Sequence, residues 1–302
     1  MGTEFWWIFD ALVVMIAVYL IYSNAKRGLT KVFVLNIGYV IALFLSGLVA
    51  VAAGPQLYET TAKTTDLKAF QEINEKMNVP KVLADAVEGM GLGFRCEESR
   101  IEHYLETNPD RYAVNLYHYV KDQSGAELAD FTAFSEDLRD AYVKAYSKAM
   151  DEKLPAYVRM NFVSQIEEDP GVMTELLARK YAPDMTTKVL AEDMEQRFGQ
   201  APNTEILRMF IYVCCFAVIM IIAAVISSLL KNTLFFNVTR SSERVYGALL
   251  GVAETVCLLI LFTIAVRLIV MLGGGETLCF NDPTIERTKI FRLLYDHLGI
   301  LI

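Results

Sequence analysis

The chain has 302 residues, 54% of them hydrophobic, with 28 Lys and Arg against 36 Asp and Glu for a formal net charge of −8. Mean hydropathy is +0.33 and the sequence pI about 5.1. An acidic balance excludes an ordinary nucleic-acid binder, because neutralising phosphates requires a cationic face, and the apolar excess points to a membrane as solvent.

In chain order, uninterrupted apolar runs occupy residues 5–22 and 32–53. Between them lies a short basic turn containing Lys26, Arg27, Gly28 and Lys31. The segment 54–206 then changes character. By count, 54–205 holds 17 basic and 28 acidic residues, a net of −11, which leaves +3 for the rest of the chain. It lacks long apolar runs, but apolar residues recur at helical spacing in Leu67-Phe70-Ile73-Met77, in Leu128-Phe131-Phe134-Leu138-Tyr142-Tyr146 and in Val189-Leu190-Met194-Phe198. Breakers such as Pro80, Pro109, Gly125, Pro155, Pro170 and Pro183 separate the pieces. Six to eight short helices with little or no sheet are expected, and ~150 residues suffice for an independent core.

Apolar runs return at 209–230 and at about 246–272, with Lys231, Arg240 and Arg244 between them. The four runs, of roughly 18 to 27 residues, reach ~27 to 40 Å as helices, enough for a ~30 Å hydrocarbon core. None carries a polar stripe at helical period, so a large soluble core is the weaker reading. Beyond Gly273-Gly274-Gly275, the residues Ile285, Ile290, Phe291, Leu294 and Leu298 share one side of a helix starting at Pro283. Such a helix suits an interfacial position or packing on the outer domain.

The fold expected is an all-α membrane protein. A first transmembrane hairpin occupies 1–53, an acidic extracytoplasmic helical domain 54–206, a second hairpin 207–272 and an interfacial helix 273–302. Basic residues in both short turns place those turns in the cytoplasm by the positive-inside rule. The termini and the middle domain then lie outside the cytoplasm. The segment 1–4 carries no Lys or Arg, and no small-residue cleavage site precedes Lys26-Arg27, so the first run reads as a retained anchor.

Asp10 early in the first run, Lys26-Arg27-Gly28 in the turn, and Ser242-Glu243-Arg244-Val245-Tyr246-Gly247-Ala248-Leu249-Leu250-Gly251 opening the last run together resemble the CvpA family, the colicin V production proteins. The resemblance covers about 1–55 and 205–302, and it makes the middle an insertion between family hairpins. It implies a bacterial plasma-membrane protein with a part in toxin or bacteriocin production or export and in envelope physiology. The chain departs from the pattern at Glu254-Thr255, where a small or basic residue is expected.

Gly247 and Gly251 form a small-x-x-x-small face for close helix approach, within one monomer or in a homo-oligomer, and Gly38 and Ser46-Gly47 offer a facing surface. Asp10 and Arg267 fall at similar depth, each about five residues from the outer end of its run. They either pair, relieving an otherwise expensive intramembrane charge, or remain separate, with Arg267 snorkelling and Asp10 hydrated. Glu254 lies ~12 Å from the cytoplasmic end of the last run, where Asn36, Ser227 or Ser228 could hydrogen-bond it as a packing group or as part of an ion pathway. Cys96 and Cys279 both fall on the outer side, as a disulfide in an oxidising compartment or as two free thiols.

Catalytic signatures are missing. The three His, at 103, 118 and 297, form no metalloprotease motif, and no nucleophile elbow or phosphate loop occurs. Glu102, His103, Glu106 and His118 read as exposed helix residues rather than metal ligands, and no cofactor is expected. The expected partners are the lipid bilayer and an unidentified membrane or envelope protein. A small ion or solute channel using Asp10, Glu254 and Arg267, or an envelope scaffold or sensor, are the alternatives to the toxin-related role.

Overall fold

The computed structural model describes residues 5–27, 29–125, 128, 130–230, 239–274, 277 and 279–297. The expectations placed on Gly28, Lys231, Gly275, Leu298 and residues 1–4 lie outside them, as do the side chains of Lys31 and Arg240. Secondary structure among the described residues is helical, without strand. In chain order the helices are α1 (Trp7–Arg27), α2 (Leu29–Thr61), α3 (Lys63–Lys76), α4 (Val79–Gly89), α5 (Glu98–Thr107), α6 (Tyr112–Ser124) and α7 (Phe131–Asp151). They continue as α8 (Ala156–Glu168), α9 (Gly171–Lys180), α10 (Thr187–Met194), α11 (Gln200–Leu230), α12 (Arg240–Leu272), α13 (Asp282–Glu286) and α14 (Phe291–His297). The chain divides into two compact units, one formed by Met1–Thr60 with Asn203–Ile302, the other by Thr61–Pro202.

The first unit contains four helices long and apolar enough to cross a membrane. Only 17% to 39% of their most apolar stretches is buried. Large apolar side chains such as Val18, Tyr19, Leu48, Ile221 and Leu229 therefore face outward, the arrangement lipid requires and water penalises. The basic turn expected between the first two runs is mostly helical. α1 continues to Arg27 because Lys26 and Arg27 stand in its last turn, where cations complement the carbonyl end of the helix.

Small residues set how the helices meet. A Cβ on Gly247 would lie 2.5 Å from the backbone oxygen of Asn24, and one on Gly251 would lie 2.9 Å from Cα of Ile21. The last long helix thus lies directly on α1, whereas the sequence suggested Gly38 and Ser46-Gly47 as the facing surface. Gly38 instead faces Ala223 on α11, and Gly54 takes the Arg208 side chain, with 2.5 Å from a Cβ position to Cγ. Both contacts run antiparallel: early α1 meets late α12, and early α2 meets late α11. Phe9 and Val13 join Leu259, Val266, Val270, Ile285 and Phe291 in one buried cluster, which carries the tail onto the helix pair.

The tail is not the single helix expected from Pro283 onward. Asn281 caps α13, its Oδ1 accepting the Thr284 N–H at 2.9 Å, and the Thr288 hydroxyl donates to the Ile285 carbonyl at 2.7 Å, ending that helix. A fresh start at Phe291 follows. Ile290, expected on the apolar side, is 44% exposed.

The second unit has its own core. α7 shows why: Phe134, Leu138, Tyr142, Tyr146 and Met150 recur every four residues and are all buried, while Phe131 at its first turn stays exposed. Asp130 fixes the start of that helix by accepting the Ala133 N–H at 2.8 Å. Tyr146 stacks on Phe162 at 5.0 Å, and Phe162 meets the edge of Phe198 at 5.1 Å. The Tyr146 hydroxyl donates to Asn74 Oδ1 at 2.9 Å, so the phenol buried among these rings keeps a partner. Phe198 belongs to a π-helical turn, Glu195–Gly199, which α10 leads into.

Candidate functional site

Glu254 is the centre of the polar interior. It sits on α12 one turn past Gly251 and is only 4% exposed. Asn24 of α1, 1% exposed, donates its Nδ2 proton to Glu254 Oε2 at 2.5 Å, and the Tyr39 side chain of α2 hydrogen-bonds the same carboxyl group. One acid therefore ties together three membrane helices. The glycine face explains how the reach is possible, since only a missing Cβ at 247 and 251 lets the Asn24 backbone come this near.

The partners expected from sequence are different ones. Asn36 turns its Nδ2 back to the Val32 carbonyl at 3.3 Å, while its Oδ1 is buried with no hydrogen-bond partner. Ser228 is exposed and Ser227 half-exposed. Asn24 escaped notice because it reads as part of a turn; the extra helical turn of α1 puts it inside the bundle. Thr255 and Thr263 satisfy their hydroxyls on carbonyls one turn back, at 2.7 and 2.8 Å, so they add no cross-helix bond.

At the opposite end of α12 the charges sort themselves in a way the sequence did not suggest. Of the two arrangements open for Asp10 and Arg267, the direct pair is not formed. Arg267 Nη2 meets Glu205 Oε1 of α11 at 2.6 Å. Asp10 accepts three backbone N–H groups, from Lys289 at 2.9 Å, Ile290 at 3.0 Å and Phe291 at 2.9 Å. The physical reason is the open amino end of α14, whose first N–H groups lack intrahelical partners and favour a carboxylate. Phe9 reinforces this junction by stacking on Phe291 at 5.1 Å and meeting the edge of Phe280 at 5.6 Å. Glu205 was legible in principle. In two consecutive antiparallel apolar runs, 209–230 and about 246–272, positions 205 and 267 fall opposite one another.

The remaining expected site residues are less connected. The Lys26 ammonium lies 4.4 Å from the Tyr22 ring centre, a cation–π contact one turn away. Cys96 and Cys279 are both free thiols, not a disulfide; Cys96 is buried in the second unit's core, which pushes its thiol up to about 11. Among the described residues no three His, Cys, Asp or Glu side chains assemble as metal ligands.

Chemically, the hub offers a buried carboxyl held by an amide and a phenol, and the far end offers one ion pair and one triple backbone cap. Such groups fix helix register and can bind or pass a proton or small cation. Compared with family models, curated proteins and solved structures, the chain matches none of them.

Proposed function

We propose that this is a non-catalytic multi-pass protein of a bacterial plasma membrane. It would act, like the CvpA family that its motifs resemble, in toxin or bacteriocin production or export and in envelope physiology. In this reading the four long helices cross as two hairpins with their basic turns in the cytoplasm, and 54–206 faces the outside, where an envelope protein is its partner. One observation supports the reading above others. The two segments that carry the resemblance, the end of α1 beside Lys26-Arg27 and the Gly247/Gly251 face, meet at a single contact. Motifs that pack on each other are better grounds than motifs scattered over a surface.

Deleting the gene in a strain that releases a small peptide toxin should reduce toxin in the medium, with restoration by the wild-type chain and not by Gly251→Leu. Unchanged release in the deletion strain would remove the toxin-related reading. Topology is checked separately, by labelling single cysteines at positions 26 and 27 from outside. Labelling there would reverse the orientation.

A second reading, conduction of an ion or proton, draws on the hub itself. α2, which reaches Glu254 through Tyr39, also carries two buried polar atoms without partners, Asn36 Oδ1 and Ser46 Oγ. Flux into liposomes carrying the wild-type chain, lost in Glu254→Gln, is the outcome that favours it. Equal flux in the two would discard it.

A further inference from the structure

The second unit contains a cavity of about 430 Å³ between α3, α4 and the carboxyl end of α7. That volume lies in the ~300–1,000 Å³ range of small-molecule sites. Its floor is apolar: Ile73, Met77, Val82, Ala145 and Ala149. Two of these are alanines on consecutive turns of α7, and their short side chains leave the space open.

The rim is charged and its balance is unusual for this chain. Four lysines, Lys76, Lys81, Lys148 and Lys153, face three carboxylates, Glu72, Asp85 and Glu152, within a segment whose overall balance is 17 basic to 28 acidic. Glu72 is already engaged by Lys153 at 2.8 Å and by Lys76 at 3.8 Å. A fifth ammonium stands behind the wall, where Lys180 donates to the carbonyls of Asn74 at 3.0 Å and Met77 at 3.1 Å. It thereby neutralises the negative end of α3. The amino end of α4, capped by Asn78 on the Lys81 N–H at 3.1 Å, adds positive potential to the same side.

The geometry points to a binding site for a small amphiphilic monoanion, a carboxylate or sulfonate with an apolar body. The body lies on the alanine floor and the anion among Lys81, Lys148 and the start of α4. A cationic amphiphile of equal length gains the floor but is repelled at the Lys81, Lys148 and α4 end where the anion sits. The strongly acidic remainder of the domain repels anions in general, so an anion enters only where lysines gather.

The test uses the full chain in nanodiscs of zwitterionic lipid, with octanoate and octylammonium as probes and amide hydrogen exchange as the readout. Octanoate should slow exchange at least threefold in peptides covering 72–85 and 145–153, while octylammonium should leave them unchanged. The double variant Lys81→Glu/Lys148→Glu should lose the octanoate effect. Ala149→Trp, which fills the floor, should lose it as well. Should the tryptophan variant misfold, seen as lost protection in α8 and α9, the charge reversal carries the test alone, since both of its sites are exposed. Equal protection by the two probes, protection that survives charge reversal, or no protection by octanoate each overturns the site.

Discussion

Four glycines of the membrane unit and two of the second unit do opposite work. In the membrane unit, Gly38, Gly54, Gly247 and Gly251 lie where a Cβ would collide with a neighbouring helix. In the second unit, Gly91 and Gly125 have positive φ, 71° and 60°, and a Cβ at either would meet nothing within 4 Å. The first set is there for contact and the second for backbone shape. The solvents explain the difference. Lipid supplies no hydrophobic drive between helices, so close backbone approach and a few buried hydrogen bonds hold the bundle. Water supplies that drive to the second unit, whose core is filled by Tyr146, Phe134, Phe162 and Phe198 and which uses Gly91 and Gly125 to turn corners.

The sharpest break of this comparison is the same substitution made in both units. Gly251→Ala should force α12 away from α1 and part Asn24 from Glu254. The overpacking amounts to ~1–3 kcal/mol, with a further ~1–3 kcal/mol for the buried groups left unpaired. Gly125→Ala meets only the left-handed backbone penalty of ~1–2 kcal/mol. Thermal unfolding followed by tryptophan emission from Trp6 and Trp7 reads the first, and amide exchange in α6 the second. Equal losses would erase the distinction between contact and shape.

Next in size is the tail. Asp10→Ala should remove three backbone bonds at α14, an effect of ~0.5–2 kcal/mol for a lost helix cap, and should speed tryptic cleavage at Arg287, Lys289 and Arg292. Asp10→Asn, which keeps one acceptor oxygen, should fall between. Arg267→Gln should not change that cleavage; an increase matching Asp10→Ala would point to a direct Asp10–Arg267 pair instead.

The Glu205–Arg267 bridge is smaller. Both side chains are about one-third exposed, so solvent screening leaves ~0.2–1 kcal/mol. Reversing both charges should recover most of the melting temperature that either single reversal loses, and no recovery would show that the two sites do not interact.

A pH titration probes the second unit alone. Burial pulls the Lys180 ammonium down to about 8, whereas an unfolded lysine titrates near ~10.4. The folded state therefore sheds its proton first, and stability rises with pH between those values. Burial raises Tyr112 and Tyr142 far above the ordinary phenol range and Tyr157 to about 12, so stability falls again once unfolded phenols ionise above pH ~10. Exchange of α3 amides, corrected for intrinsic rate, should show a rise and then a fall, and Lys180→Gln should abolish only the rise.

The four long apolar helices were legible because an unbroken apolar run has one favourable solvent, whatever its neighbours. The helical nature of 54–206 was legible from the four-residue recurrence along α7. Partners were harder to read. Glu254 and Asp10 stood out as charges in apolar surroundings, yet Asn24 was hidden at the end of a run, and the partners of Asp10 are main-chain groups that no residue type announces. The exposure of Ile290 had the same cause, since a helix break made by one threonine hydroxyl and a distant aspartate leaves no trace in apolar spacing.

Asp10 also makes one end of the chain depend on the other. α14 receives its cap from a residue some 280 positions earlier in the chain, so its amino end is completed only where α1 already stands docked against α12. A chain whose first helix has failed to insert presents an uncapped tail with Phe291 uncovered. The last helix thereby reports on the first, since its amino end is satisfied only in a chain whose two ends have met.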